Sequence, residues 1–323
     1  MDPSDKWVQD TWSAALAKIF SRGAGPESGV PDAIYLDQLS CAYAQACWWP
    51  PARAVSARWS SGTRALLRVV EAAVTKAKGQ PVAMVSEEMD EVFQEPLSGM
   101  LSLDADLPSA LGCTGVPAYP SVYGGWSYHL GDIRWPGNTR GNVGQDFRAI
   151  VAQQLVDGRA IGWFSADGWA EWLDKPQNAA TLSLLVKAAH TRVAFKQFLV
   201  HGRLWRPPTV TIDSTLQSCV ADHSHRRGEY NVSCCAIESI ITSAWIAADG
   251  GSVVVLLVNH MVQANASSSI GLDAIVNVSI PSRWAQRCCQ RTPSVDIGVD
   301  LDRGVATIAK RVAWADVDTI VLR

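Results

Sequence analysis

With 323 residues, 48% of them hydrophobic, the chain is long enough for a sizeable core and for two domains of ordinary size. Its formal charge is −3 and acidic and basic residues are mixed along its length, which argues against a nucleic-acid or anionic-membrane surface, since either needs clustered Lys and Arg. No run of about 20 apolar residues is present to span a bilayer, and 252-SVVVLLV-258 is too short and too β-branched to do so.

In chain order, Asp5 to Arg22 has helical spacing, with an apolar stripe of Val8, Trp12, Leu16, Ile19 and Phe20. A strand at 33-AIYLD-37 follows, then a helix over roughly 60 to 78 carrying Leu66, Leu67, Val70, Ala73 and Val74. Next come the strand 81-PVAMVS-86, a short helical piece around Glu91 and the run 99-GMLSL-103. The segment 117-PAYPSVYGG-125, a helix near 144 to 157, the strand 160-AIGWFS-165 and a helix over 178 to 199 complete the first half. Strands separated by helices imply parallel β/α units, so 33–37, 82–86 and 160–165 are predicted to be parallel strands of one sheet.

From about Val210 the texture changes. Short β-rich runs at 242–248, 252–259, 274–280, 305–309 and 317–322 are separated by Gly, Asp, Asn and Ser, the pattern of an antiparallel β-sandwich. Pro207-Pro208 stops the last helix, which sets the expected domains at 1–205 and 206–323. Five strand candidates and one leading helix in the first half fit a partial (β/α)₈ barrel holding strands four to eight, where a closed barrel takes about 250 residues. An unclosed parallel edge exposes backbone and apolar side chains, so the chain alone is expected to aggregate or to need a partner, such as the missing N-terminal barrel half.

Reactive groups of β/α barrels sit at the C-terminal ends of strands. Asp37 ends the first strand, and Glu87 and Glu88 end the second in 82-VAMVSEEMDEV-92. Glycosidases use such a pair, one carboxylate at the anomeric carbon and the other giving a proton to the leaving oxygen. The same residues have a structural reading, since strand ends meet solvent, and Glu87 or Glu88 would also cap a following helix. The 14 tryptophans suit either a core or a carbohydrate cleft, where a pyranose face packs on a flat ring.

The runs from Trp7 through "VPDAIYLDQLS", "VAMVSEEMDEVFQE", "VPAYPSVYGG" and "VAQQLVDGRAIGW" together resemble a family of large glycoside-hydrolase-like barrel proteins. That family looks related to endo-α-N-acetylgalactosaminidases and, more distantly, to α-amylases. The resemblance covers most of residues 5 to 205 and continues into the β-sandwich. It implies Asp37 as nucleophile and Glu87 as general acid/base, with no cofactor. Gln38 would sit beside Asp37, Glu91 lies near the family's second acidic residue, and Tyr123, Trp163 and Trp169 are implied sugar contacts, with core packing the alternative for Trp163. The chain departs from the family where 41-CAYAQACWWPPARAVSARW-59 lacks the usual His and Gly, and where Glu88 replaces a glycine.

The expected activity is therefore hydrolysis of O-glycosidic bonds with retention, on a carbohydrate substrate and without nucleic acid or membrane. The alternative is an inactive remnant or carbohydrate-binding protein with an incomplete barrel. Eight cysteines contain no C-x-x-C, so a zinc ribbon or a thioredoxin-type site is not expected. His223-Ser-His225 lies in a polar stretch that reads as a solvated loop rather than a metal site. Sequons at Asn231, Asn265 and Asn277 fit a secreted or lumenal protein, but no signal peptide is legible, and the compartment stays open.

Overall fold

A computed structural model describes residues 3–21, 31–37, 56–87, 91–101, 117–131, 143–162, 166–212, 215–222, 231–262, 271–280, 296–300, 305–313 and 316–322. By compactness the chain forms two units, Met1–Leu103 with Ser127–His129, and Asp104–Trp126 with Leu130–Arg323. The division expected at 205/206 follows the change of secondary structure instead.

The first unit is a layer of helices on a small sheet. Helix α1 (Lys6–Phe20) starts at Asp5, whose side chain accepts from the Trp7 N–H, as an N-cap should. Val8 and Phe20 are buried as the stripe predicts, but Ile19 is 51% exposed. It lies about 20° round the helix from Val8 and Trp12, so that edge of the stripe meets solvent, while Ser13, about 20° from Phe20, is buried. Helix α2 (Ser56–Lys78) packs against α1 where Gly62 allows close approach: a Cβ there would lie 2.8 Å from the Ser4 nitrogen. Its apolar face of Leu66, Leu67, Val70 and Val74 is buried as expected.

Strands β1 (Ala33–Leu36), β2 (Ala83–Glu87), β3 (Gly99–Leu101) and β4 (Tyr128–Leu130) form one sheet in that order. β1 pairs with β2 in parallel, Ala33 opposite Ala83 through Leu36 opposite Ser86, and β2 pairs with β3 in parallel. A parallel return needs a connection that runs back along the sheet. Helix α2 provides it: Lys78 in its last turn donates to the Pro31 carbonyl at 2.8 Å and to Asp32 at 2.5 Å, so the helix ends beside the start of β1. That contact, chiefly the hydrogen bond from Lys78, holds the Asp32 carboxyl below its usual pKa.

In the second unit, the first half of the chain contributes the helices α3 (Ala118–Tyr123), α4 (Val143–Val156), α5 (Ala166–Leu173), α6 (Ala179–Ala194) and α7 (Lys196–Leu199). Of the predicted strand 160–165, Ala160 makes an isolated parallel bridge to Leu130, and residues 163–165 lie outside the described residues.

The remainder of that unit is antiparallel. Strands β5 (Arg203–Leu204), β9 (Ile240–Ile246), β10 (Val253–Asn259) and β14 (Asp316–Leu322) form one sheet in the order β14-β10-β9-β5. Strands β6 (Thr209–Ile212), β11 (Gly271–Ser279), β12 (Asp296–Asp300) and β13 (Val305–Ala313) form a second, in the order β12-β13-β11-β6. A separate pair, β7 (Thr215–Asp222) with β8 (Asn231–Glu238), has no counterpart in the sequence reading; His223 and His225 lie outside the described residues.

All seven residues of β10 are buried, because the strand is covered on both faces. Val254, Leu256 and Val258 pack with Phe147, Val151 and Leu155 of α4 and Leu184 of α6. Val253, Val255 and Leu257 pack instead with Val276, Ala306 and Ile308 of the facing sheet. A continuous VVVLLV run rather than an alternating one is what two covered faces require.

Trp245 ties the helices to this sheet, its indole N–H donating to the Val156 carbonyl at 2.9 Å. Beside it the chain turns at Gly158 with φ of +71°. A Cβ at Gly158 would lie 2.6 Å from the Trp245 ring and 2.9 Å from the Leu199 carbonyl oxygen. Gly158→Ala is therefore expected to cost about 1–3 kcal/mol, from the left-handed backbone and overpacking together. Thermal denaturation checks this; an unchanged melting temperature would contradict it.

Candidate active site

The site is built by the register of two parallel strands. Leu36 and Ser86 are the last paired positions of β1 and β2, so Asp37 and Glu87 are the next residue on each. Glu87 is also paired to Leu101 on the far side. Because side chains alternate along a strand, Asp37 and Glu87 share one face with Tyr35 and Val85. Leu36, Met84 and Ser86 occupy the opposite face, where all three are buried. Asp37 is exposed and Glu87 half-buried, so the pair lies on the less covered face, at the C-terminal end of its strands. Both belong to the first unit.

The ends of the two strands are tied together. The Ser86 hydroxyl, fully buried, donates to the Leu36 carbonyl at 2.7 Å. Further along the chain, Glu95 receives Arg64 at 2.6 Å and Arg68 at 2.6 Å, which links helix α2 to the segment entering β3. Hydrogen bonds from Arg68 and then Arg64 hold the Glu95 carboxyl below its usual range. These pairs are exposed, so they orient the segment more than they stabilise it.

Glu91 opens a one-turn 3₁₀ helix, Glu91–Phe93, after β2, and is exposed. Tyr123 ends helix α3 in the second unit, half-buried, with its ring 4.7 Å from that of Tyr119. Trp169 lies on α5, also in the second unit. Gln38, Glu88 and Trp163 fall outside the described residues. The register thus brings Asp37 and Glu87 side by side; the predicted aromatic contacts belong to the other unit.

Three polar residues of the same sheet were not singled out from the sequence: Ser86, Tyr35 and His129, the last on β4 and 5% exposed. Two carried a signal. Ser86 immediately precedes Glu87, and Tyr35 lies two residues before Asp37, on its face by the period of a strand. Among the described residues, no group of three or more His, Cys, Asp or Glu is placed to hold a metal ion, and no helix is long and apolar enough to cross a membrane.

No protein-family profile matches the chain. It is 24% identical over 302 residues to a Monosiga brevicollis protein named "Putative glycoside hydrolase 22789", an alignment covering 87% of this chain and 23% of that protein. The chain therefore spans about a quarter of that relative's length. Its fold is similar to that of a maltogenic α-amylase from Thermotoga neapolitana, with a TM-score of 0.50 at 11% identity, over 100% of this chain and 67% of the other. The chain is thus glycoside-hydrolase-like in sequence and α-amylase-like in fold.

Proposed function

We propose that the chain carries the catalytic pair of a retaining glycoside hydrolase acting on O-glycosidic bonds of a carbohydrate. The observation that carries this reading is the register that makes Asp37 and Glu87 neighbours at the C-terminal ends of adjacent parallel strands. Adjacent strands lie about 4.8 Å apart. Carboxyl groups hung from neighbouring positions at that spacing suit the roughly 5–5.5 Å of retaining enzymes better than the wider gap that admits a water in inverting ones.

In the first step an Asp37 oxygen bonds to the anomeric carbon as the bond to the leaving oxygen breaks, and Glu87 gives that oxygen its proton. In the second step Glu87 takes a proton from water, the water oxygen bonds to the anomeric carbon, and the ester to Asp37 breaks. Residues 1–205 are then the barrel-derived catalytic part, strands four to eight of a (β/α)₈ barrel, and 206–323 a β-sandwich. Gln38, Glu91, Tyr123, Trp163 and Trp169 remain proposed sugar contacts. The endo-α-N-acetylgalactosaminidase resemblance makes α-N-acetylgalactosaminides the first substrates to try.

The test is a panel of 4-nitrophenyl α- and β-glycosides, with the first-formed sugar anomer read by proton NMR before mutarotation. Release of nitrophenol with retained configuration is expected. An inverted first product would overturn the nucleophile role of Asp37. Binding of the sugars without turnover would favour the carbohydrate-binding alternative.

A further inference from the structure

The geometry points to Ser86 as a positioning residue of this pair, an inference that rests on the reading of Asp37 and Glu87 as catalytic. The carbonyl that Ser86 holds is that of Leu36, and it belongs to the peptide group joining Leu36 to Asp37. Asp37 is the first residue beyond the paired part of β1, so the Leu36–Asp37 peptide makes the last ladder contact with β2. Ser86 adds a side-chain hold on that peptide from the neighbouring strand, and its own next residue is Glu87. One hydroxyl therefore couples the backbone that carries Asp37 to the backbone that carries Glu87.

The surroundings make this bond a strong constraint. Ser86 is 0% exposed and Leu36 4% exposed, so water does not compete for the carbonyl. The two residues are directly paired and 50 positions apart in sequence, so the bond closes no local turn and serves the alignment of two strands. The hydroxyl lies on the face opposite the carboxylates and does not meet the substrate. Its effect is on the spacing and direction of Asp37, which decide whether an attacking oxygen meets the anomeric carbon in line.

The experiment compares wild-type chain with Ser86→Ala, Ser86→Thr, Asp37→Asn and Glu87→Gln, using the 4-nitrophenyl glycoside panel as probe and amide proton–nitrogen NMR spectra as a measure independent of turnover. Ser86→Ala is expected to lower kcat about 10–100-fold, the scale of a misplacement near 1 Å, with KM within about twofold and the Asp37 amide resonance displaced. Ser86→Thr, which restores the hydroxyl, is expected to recover both. If Asp37→Asn is inactive and Glu87→Gln is slowed while Ser86→Ala keeps wild-type kcat, the positioning role is overturned and the catalytic pair stands. An unmoved Asp37 amide in Ser86→Ala, or loss in Ser86→Ala that Ser86→Thr does not recover, overturns it as well. If Asp37→Asn turns over at the wild-type rate, or no glycoside is a substrate, the catalytic reading falls and this inference falls with it.

Discussion

Asp37→Asn is expected to abolish turnover of every aryl glycoside that the wild-type chain hydrolyses, because an amide cannot form the glycosyl ester through which retention proceeds. Glu87→Ala is expected to behave differently. Its loss in kcat/KM should be about 10²–10⁴-fold on substrates with poor leaving groups, the usual scale of general acid catalysis, and small where the leaving group departs as a stable anion, with breakdown of the ester then limiting because its base is gone. Azide, which needs no base to activate it and fits the space left by the side chain, should then accelerate breakdown of the ester and yield a glycosyl azide. Steady-state rates over a leaving-group series, with product analysis in azide, check both variants. Wild-type rates in Asp37→Asn would sink the assignment. So would damage from Glu88→Gln with none from Glu87→Gln.

The second large effect is on stability against acid, and it arises far from the carboxylates. His260 follows the last residue of β10 and is 0% exposed. Its Nε2 meets the Glu238 carbonyl at 2.9 Å, while its own carbonyl accepts from the Arg148 Nε at 2.8 Å, and Arg148 also donates to Thr181 at 2.8 Å. The imidazole thus sits where α4, α6 and the end of β10 meet, with a guanidinium nearby. Burial, and to a smaller extent the charge of Arg148, push its pKa down from 6.5 to about 4.

Unfolding returns the imidazole to water, so the unfolded chain takes up the proton first. The stability associated with neutral His260 is complete above pH 6.5 and is lost as pH falls towards 4. Over that window the loss is about 3 kcal/mol, at 1.36 kcal/mol per unit of pKa difference. Urea unfolding at pH 7, 5.5 and 4.5 is expected to show this decline, and His260→Gln, which keeps a donor for the Glu238 carbonyl without a titrating ring, should flatten it. An equal acid sensitivity in His260→Gln would assign the decline to other groups.

Much of the site was legible from local pattern. The apolar run that stops at Asp37 and the one that stops at Glu87 are strands ending on carboxylates, and a helix of the right length lies between them. Two strands joined by a helix are parallel as a rule, so their two ends fall on one side. What was not legible is the partnership between single positions. Whether Asp37 stands opposite Glu87 or Glu88 depends on register, and a slip of one residue would put the other face of β2 beside Asp37. The pairing of Leu36 with Ser86 decides it.

Composition and periodicity alone determined helices α1 and α2, strands β1 and β2, the predominance of antiparallel strands late in the chain, and the carboxylates at the strand ends. These follow from patterns of period 2 and 3.6 within a dozen residues, which the backbone imposes locally. Only the tertiary structure decided that α4 and α6 share a core with β10, that Ile19 stays exposed although it lies on its stripe, and that Ser86 and Arg148 hold carbonyls 50 and 112 positions away. A buried hydrogen bond between distant residues leaves no periodic trace, because its partners are brought together by the packing of whole elements rather than by the repeat of any one of them.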